Sequence, residues 1–417
     1  MDTENAVIVL PGKGNYAITL PGQITFVLRA TPQELLEVKS GLLQEYVPEE
    51  SVISTPRASL AVIPTFDCNL RCIYCYAKGG ESKEVVKLKY VRRALKYQRE
   101  KNPNAQWLDL YLVGGGEPLL HFELVKEIFA LAKCFSKEVQ IHIVTNGTFK
   151  ENVANWLIEK EVDIRISYDG VAQSFQRPFS DGKESVNDVE RTIKYLVASN
   201  IEPTLQMIVT SRSINQMIES ALKAIEMGIK VVKVEPALSS EVSRGGKSVE
   251  PNPVSYARKL LELIRYVAQH KLPLKIDTGF FTKPATGFYC GMANENFTLT
   301  PDGLITPCVE VARQFDPYMN KIGIGSVRQG SIALNNGNLL WLKSLSYKTQ
   351  LGGCNNCELR MLCLGGCPMA NIWRNGLPLK KSAYTCSIEH EFLPKLLLMI
   401  AKEPIIMDVV MENTILT

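Results

Sequence analysis

The feature that most constrains this chain is a loop with three closely spaced cysteines. Cys68, Cys72 and Cys75 follow an apolar run, 59–66, that is typical of a strand. A cubane iron–sulfur cluster has four irons and needs four ligands, so three cysteines leave one iron open. A structural zinc would need a fourth protein ligand nearby, and none is visible. The cysteines could instead be small buried apolar residues, but an Arg-Cys-x-x-Cys loop is a poor core segment.

The loop resembles the cluster-binding loop of the radical S-adenosylmethionine (SAM) enzymes, with an aromatic residue, Tyr74, before the third cysteine. The resemblance implies that SAM chelates the open iron and lies near Tyr74 and Tyr76. It also implies that the reduced cluster cleaves SAM to a 5′-deoxyadenosyl radical, which takes hydrogen from unactivated carbon. The cofactor carries that chemistry, while the protein positions the reactants and excludes water.

Strand-like and helical runs alternate from residue 59 to residue 275. Six repeats with short loops imply an α/β fold with a parallel sheet, and six units fit a partial (β/α)6 barrel better than a complete eight-fold one. Chemistry in such barrels sits where strands end. The predicted strands are 60–66, 107–113, 139–145, 163–168, 203–210 and 230–236, and the predicted helices are 85–101, 123–135, 153–160, 186–198, 217–227 and 253–270.

The predicted strand ends carry the candidate SAM contacts. Gly115, Gly116 and Glu117 follow the second strand and resemble the motif that holds the methionine amino group of SAM, although a plain turn has the same composition. Asn146 and Ser167, at the third and fourth strand ends, resemble positions near the ribose and the methionine carboxylate. Both are also ordinary turn residues.

Other polar residues of the predicted barrel leave two interpretations open. Gln206, inside the fifth strand, could contact a ligand or make an internal hydrogen bond. Arg177 and Arg244 follow the fourth and sixth strands and could pair with a carboxylate, but a solvated loop arginine is the more frequent outcome. Cys134 lies alone in a helical run and is expected to be a packing residue.

A second group of cysteines begins at Cys290, after the alternation of strands and helices has stopped. Their spacing could make zinc knuckles, but seven thiolates fit two zinc sites poorly. The pattern resembles the SPASM extension of the radical SAM superfamily, which binds two auxiliary [4Fe–4S] clusters. The resemblance implies that Cys290, Cys308 and Cys367 bind the first and that the second is bound by Cys354, Cys357, Cys363 and Cys386. One position on the first stays open, where a substrate thiolate could bind.

Composition argues against several function classes. Lys plus Arg is 47 and Asp plus Glu is 43, so the net charge of +4 gives no argument for nucleic-acid or membrane binding. Four scattered histidines disfavour histidine-based zinc catalysis. An odd count of 11 cysteines favours metal or redox chemistry over a disulfide framework. The polar start and the lack of an uninterrupted apolar run of membrane length predict a cytoplasmic protein.

Four regions are predicted. Residues 1–58 form a hairpin and helix preface that could cover the barrel or dock a peptide, with strand-like runs at 6–10, 16–20 and 24–29 and a helix that begins after residue 31. Residues 59–275 form the barrel, 276–400 form the SPASM domain, and 401–417 form a tail. The resemblance implies three [4Fe–4S] clusters, SAM, and a reductant such as flavodoxin or ferredoxin.

The predicted function is oxidative crosslinking, through a thioether or carbon–carbon bond, of a ribosomally made peptide. The alternative enzyme is another SPASM oxidase or dehydrogenase, such as a sulfatase-maturase-like enzyme acting on a protein. Anaerobic sulfatase maturases carry an aspartate directly after the second extension cysteine, whereas Val309 follows Cys308 here. An iron–sulfur electron carrier is the alternative of another class, and the open site on the loop cluster disfavours it.

Overall fold

A computed structural model describes most of the chain in two compact units. The described residues are 15–19, 25–29, 57–279, 289–293, 296–313, 316–328, 331–345, 354, 357, 359, 363–403 and 405–410. The larger unit comprises Ser54–Glu250 and Gly291–Ser344, and the smaller unit comprises Met1–Ile53, Pro251–Cys290 and Leu345–Thr417. The residues predicted to form one SPASM domain are thus divided between the two units.

Six parallel strands form the centre of the larger unit. They pair in sequence order, each with the next, as in a sheet built from successive strand–helix repeats. The strands are β3 (Arg57–Val62), β4 (Trp107–Leu112), β5 (Glu138–Thr145), β6 (Asp163–Ser167), β7 (Thr204–Val209) and β8 (Val231–Pro236).

Side-chain alternation explains why these runs form strands. In β4, Leu108, Leu110 and Leu112 are buried on one face, while Asp109 and Tyr111 on the other are only half-buried. The five later strands match the predicted ones to within a residue at each end. The first predicted strand, 60–66, lies too late, because the chain leaves the sheet after Val62 and the apolar residues that follow are buried in a loop.

Helices connect the parallel strands and bury an apolar stripe each. The predicted helices are confirmed, with ends that differ by up to three residues. In the larger unit the α-helices are α1 (Leu88–Lys101), α2 (Phe122–Lys133), α3 (Glu151–Glu159), α4 (Gln173–Gln176), α5 (Val186–Ala198), α6 (Met217–Glu226), α8 (Met319–Ile322) and α9 (Asn336–Lys343).

Antiparallel strands extend the sheet beyond β3. Thr298 of β10 pairs in parallel with Ala61 of β3, and antiparallel pairing then continues outward to β13. This extension was not predicted, because its strands are only two to four residues long and carry little periodicity. They are β10 (Thr298–Leu299), β11 (Leu304–Thr306), β12 (Gly325–Arg328) and β13 (Ser331–Leu334).

The smaller unit is mainly helical. Asn252 caps α7 by accepting a hydrogen bond from the Ser255 backbone at 3.0 Å, with Pro253 at the first helical position. Helix α7 packs against α11 and α12, with Tyr256 and Phe392 fully buried. Its elements are α7 (Pro253–Gln269), β9 (Lys275–Asp277), α10 (Pro368–Asn375), α11 (Ala383–Lys402) and α12 (Ile406–Val410).

The amino-terminal preface is described only as a hairpin. Strands β1 (Asn15–Thr19) and β2 (Thr25–Arg29) pair antiparallel, which confirms two of the predicted strand runs. The third run, 6–10, and the predicted helix after residue 31 lie outside the described residues.

Candidate active site

The three loop cysteines lie between β3 and α1, where the first parallel strand ends. Cys68, Cys72 and Cys75 are free and half-buried. The loop turns back on itself, since the Cys75 backbone donates to the Cys72 carbonyl at 3.2 Å and Gly79 N donates to Cys75 Sγ at 3.3 Å. No three His, Cys, Asp or Glu side chains among the described residues gather as ligands of one metal ion do.

Two arginines fasten the backbone of this loop. The guanidinium of Arg71 donates to the carbonyls of Cys68 at 2.8 Å, of Leu70 at 2.9 Å and of Gly80 at 3.1 Å. Arg244 donates to the carbonyls of Cys72 at 3.1 Å and Gly79 at 3.2 Å, and it pairs with Glu81 at 3.1 Å. The expectation that Arg244 is a solvated loop residue is wrong, because the loop carbonyls need donors that the sheet does not supply.

A buried ion pair lies beneath the loop. Asp169 is 1% exposed and Arg177 is 6% exposed, and Arg177 Nε donates to Asp169 Oδ2 at 2.9 Å. The same oxygen accepts from the Tyr74 hydroxyl at 2.5 Å, and Arg177 Nη1 lies 4.0 Å from Cys72 Sγ. Arg177 is therefore not the solvated arginine expected from the sequence. Burial alone would lower its pKa, but Asp169 raises the pKa above its ordinary value.

The environment of the thiols disfavours ionisation of all three when no positive charge lies beside them. Burial and then repulsion from Cys72 raise the pKa of Cys68 to about 12. Burial raises the pKa of Cys72 to about 11, although Arg177 opposes this. Thiolate ligands of an iron–sulfur cluster face positively charged iron, which removes that penalty. The donor set fits a cluster with three cysteine ligands.

The glycine turn after β4 packs directly on the cysteine loop. A Cβ on Gly116 would lie 2.0 Å from the Asp67 carbonyl oxygen, and one on Gly115 would lie 2.5 Å from Ile63 Cγ2. Gly115 also has a φ of +71°, in the left-handed region that glycine tolerates. The Glu117 backbone donates to the Asp67 carbonyl at 2.7 Å. The glycines thus bring the turn into contact with the loop.

Glu117 joins the turn to the end of β5. Its carboxylate is 3% exposed and accepts hydrogen bonds from Thr145 Oγ1 at 2.7 Å, Leu119 N at 3.1 Å and Asn146 N at 2.6 Å. Burial raises its pKa, and these hydrogen bonds oppose that effect. A carboxylate has about four acceptor positions, so one remains for another donor.

The other candidate SAM contacts lie either near Glu117 or on the neighbouring strands β6 and β7. Asn146 Nδ2 donates to Asn69 Oδ1 of the cysteine loop at 2.8 Å. The pKa of Tyr76 is raised by burial and then by Glu310, while a hydrogen bond from the Gly115 backbone lowers it. Ser167 is in register with Gln206 on β6 and β7. Gln206 makes an internal hydrogen bond, donating to Glu235 at 2.6 Å.

Several site residues were missed in the sequence. Burial, followed by repulsion from Glu235 and Asp316, raises the pKa of Glu310 to about 8. Glu310 follows β11, whose loop brings Val309 next to Gly114. His142 stacks on Tyr111 and contacts two carboxylates, as described below. Such neighbours come from different strands, so spacing along the chain gives no signal for them.

Four cysteines of the smaller unit line one pocket. Cys354, Cys357, Cys363 and Cys386 face it together with Lys381, Glu389 and His390. Cys357 Sγ lies 3.6 Å from His390 Nε2, and burial raises the pKa of Cys386. These are the four that the SPASM resemblance assigns to one auxiliary cluster.

The remaining cysteines are placed differently. Cys290 is exposed and Cys367 half-buried in the smaller unit, and Cys308 is half-buried in the larger one. The expectation that Cys134 packs in a helix is wrong. Helix α2 ends at Lys133, and Cys134 is exposed at its carboxyl end, with Sγ 3.4 Å from the Ala130 carbonyl.

The Radical SAM superfamily model matches residues 62–225, which carry the cysteine loop, the glycine turn and the ends of β3 to β7. Residues 62–225 therefore form a radical SAM domain. A probable GTP 3′,8-cyclase from Methanopyrus kandleri is 27% identical over 193 residues, which cover 43% of this chain and 56% of that relative. A cysteine-type anaerobic sulfatase-maturating enzyme from Clostridium novyi is 24% identical over 333 residues, 72% of this chain and 85% of that enzyme.

Solved structures share the fold of this chain. Native anSMEcpe with bound AdoMet and a Kp18Cys peptide aligns with a TM-score of 0.68 at 21% identity, over 83% of this chain and 99% of that one. Streptococcus suis SuiB bound to the precursor peptide SuiA aligns with a TM-score of 0.57 at 17% identity, over 85% and 81%. No helix among the described residues is long and apolar enough to cross a membrane.

Proposed function

We propose that this radical SAM enzyme is a peptide maturase that forms an oxidative thioether or carbon–carbon crosslink in a ribosomally made peptide. The observation that carries the proposal is the contact between the three-cysteine loop and the glycine turn, which brings Glu117 near Cys68 of a loop whose three thiols have no fourth cysteine beside them. That arrangement suits a cluster and a small zwitterionic ligand together.

The residues have distinct proposed roles. Cys68, Cys72 and Cys75 would hold a [4Fe–4S] cluster, and Glu117 would use its remaining acceptor position for the SAM ammonium group, as a charge-assisted hydrogen bond. Tyr74, Tyr76, Asn146, Ser167 and Gln206 are the other proposed SAM contacts. When bound, SAM on the reduced cluster supplies a radical that removes hydrogen from carbon. Arg71 and Arg244 keep the loop carbonyls satisfied and so fix the positions of the thiols.

Two auxiliary clusters complete the proposal. Cys354, Cys357, Cys363 and Cys386 would hold one, which their common pocket supports. Cys290, Cys308 and Cys367 would hold the other. Crosslinking removes two hydrogens from the peptide: one leaves as an atom, and the other as a proton and an electron. We propose the auxiliary clusters as acceptors of that electron, and flavodoxin or ferredoxin as the reductant for SAM cleavage.

The substrate class is supported by the two solved relatives whose structures contain peptides. A sulfatase-maturase-like oxidation is the second candidate, favoured by the similarity to the Clostridium novyi enzyme over 72% of this chain. The valine at position 309 argues for the crosslinking reaction, because it cannot exchange a proton as an aspartate does.

The test is anaerobic incubation of reduced, reconstituted protein with SAM and short peptides encoded by neighbouring reading frames. We expect 5′-deoxyadenosine together with a peptide that has lost two hydrogens, and neither from the Cys68→Ala/Cys72→Ala/Cys75→Ala variant. A peptide whose cysteine or serine becomes an aldehyde would favour the second candidate. Absence of 5′-deoxyadenosine from fully reconstituted protein would contradict both.

A further inference from the structure

Arg165 lies in the middle of β6, on the face of the sheet opposite the buried core. Its neighbours Ile164 and Ile166 are 2% and 0% exposed on the core face, whereas Arg165 is only half-buried. It is in register with Val144 of β5 and Thr204 of β7. Ser167, at the end of the same strand, shares this inner face. Arg165 is therefore about 7 Å deeper along the strand than Ser167, the proposed SAM contact on β6.

The charged residues on either side of Arg165 are already paired. On one side, His142 Nδ1 contacts Asp163 at 2.8 Å and His142 Nε2 contacts Asp109 at 3.4 Å. Asp109 also accepts from Arg57 at 2.8 Å. These four side chains form a closed network of alternating charge across β3, β4, β5 and β6.

A second network lies on the other side, on β7 and β8. Lys233 pairs with Glu235 at 2.9 Å, and Gln206 donates to the other Glu235 oxygen at 2.6 Å. Burial opposes ionisation of Glu235, but Lys233, Gln206 and the more distant Arg165 together lower its pKa. The Glu235 carboxylate is thus ionised.

Arg165 belongs to neither network. Within the part of the chain that the structure describes, it makes no hydrogen bond or ion pair, and its influence on Asp163, Glu235 and Tyr111 is purely electrostatic. Five N–H donors in a fixed plane are matched by a carboxylate, which accepts two of them side by side. A half-buried guanidinium between two satisfied networks therefore has no carboxylate partner among the described residues.

We propose that Arg165 binds a carboxylate of the substrate peptide inside the sheet's inner face, and so selects peptides with an acidic residue near the site of modification. The inference rests on the proposed peptide substrate and deepens it. The carboxylate could belong to an Asp or Glu side chain or to the peptide's carboxyl terminus. Tyr111 of β4, whose ring stacks on His142 with centroids 4.4 Å apart, lies on the same inner face of the sheet.

In the test, anaerobic, SAM-loaded protein selects peptides from two random libraries. The peptides of the first library are displayed through their carboxyl ends, and those of the second through their amino ends. Wild-type protein should enrich Asp or Glu at one position of the first library, or should retain peptides from the second library only, in which every peptide has a free carboxyl terminus. Arg165→Gln should lose that enrichment, and Arg165→Glu should enrich Lys or Arg instead. Arg92→Gln, an exposed arginine of α1, gives the matched loss of charge and should behave as wild type.

Synthetic peptides from the enriched pool then give the magnitude. Exchanging the acid for its amide should weaken binding to wild type by about tenfold or more, as expected for a charge-assisted hydrogen bond, and should not weaken binding to Arg165→Gln. Equal acid preference in wild type and Arg165→Gln would overturn the inference while leaving the peptide-substrate proposal standing. A parallel fall in SAM affinity would overturn it by placing the guanidinium on SAM.

Failure of the proposed function has a different signature. If wild-type protein enriches no peptide in either arm, the peptide substrate itself is contradicted and the inference falls with it. Iron content and thermal unfolding of each variant, compared with wild type, establish that a lost preference is not a lost fold.

Discussion

Replacing Asp169 by Asn should destabilise the larger unit strongly. Asn has the same size, so the change removes the charge and one acceptor while creating no cavity. The carboxylate accepts hydrogen bonds from four groups: the Tyr74 hydroxyl, Gln176 Nε2, the Arg177 guanidinium and the Ile208 backbone. The variant therefore leaves a buried guanidinium without its counter-charge.

The magnitude follows from burial. Asp169 is 1% exposed and Arg177 is 6% exposed, so solvent cannot take over the role of the lost carboxylate. Breaking a buried ion pair by removing one partner costs about 3–5 kcal/mol, because the remaining charge stays desolvated. Changing both partners removes the uncompensated charge, so Asp169→Asn/Arg177→Met should recover most of that loss.

Hydrogen exchange read by mass spectrometry measures this effect locally, which suits a chain of two units whose unfolding need not be two-state. Amides of β6 and β7 should exchange faster in Asp169→Asn, and the double variant should restore their protection. Asp181→Asn, which removes an exposed partner of Lys183, is the control and should leave exchange unchanged. A loss below about 1 kcal/mol, or a double variant no better protected than the single one, would refute the reasoning.

Three further predictions concern titration, the glutamate and iron. Burial opposes protonation of His142, but Asp109 and Asp163 raise its pKa to about 9. The contribution of His142 to folding stability is therefore complete below its ordinary pKa of 6.5 and is lost as the pH rises through 9. Wild type should lose about 2–3 kcal/mol over this window and His142→Gln should not, as thermal unfolding against pH would measure; a flat wild-type profile counts against the charged network. Glu117→Ala should weaken SAM binding by about tenfold or more with iron retained, and unchanged affinity would remove Glu117 from the SAM site. Reconstituted protein should bind about twelve irons, of which changing the three loop cysteines to Ala removes about a third, and a wild-type content near four would contradict the auxiliary clusters.

The sequence predicts the repeating part of the fold well because each repeat carries its own signal. Leu108, Leu110 and Leu112 alternate with polar residues over a full strand, which determines both the strand and its buried face. The antiparallel extension is not predicted, because its strands are too short to show a two-residue alternation of apolar and polar side chains. For Cys134 the helical pattern predicted too much. The helix ends one residue earlier, so the side chain lacks the packing that a position inside the helix would give it.

The sequence predicts the motifs of the candidate site but not the buried residues that hold those motifs in place. The three loop cysteines and the turn before Glu117 stand out because spacing and glycine content are local properties. Asp169 and Arg177 do not, because the hydrogen bonds that hold them come from the cysteine loop, from α4 and from the β7 backbone. The same holds for Arg165, whose lack of a side-chain partner among the described residues is visible only when the neighbouring strands are in register.

The way the two units share the chain bears on the order in which they can form during synthesis. Strands β3 to β8 and the helices between them are continuous in sequence, so their pairing can begin as soon as each repeat leaves the ribosome. The smaller unit draws on three separated stretches and cannot close until the last of them, after residue 344, has been made. Four cysteines that share its pocket lie in that last stretch, so the proposed auxiliary cluster could assemble there only after this stretch has been made.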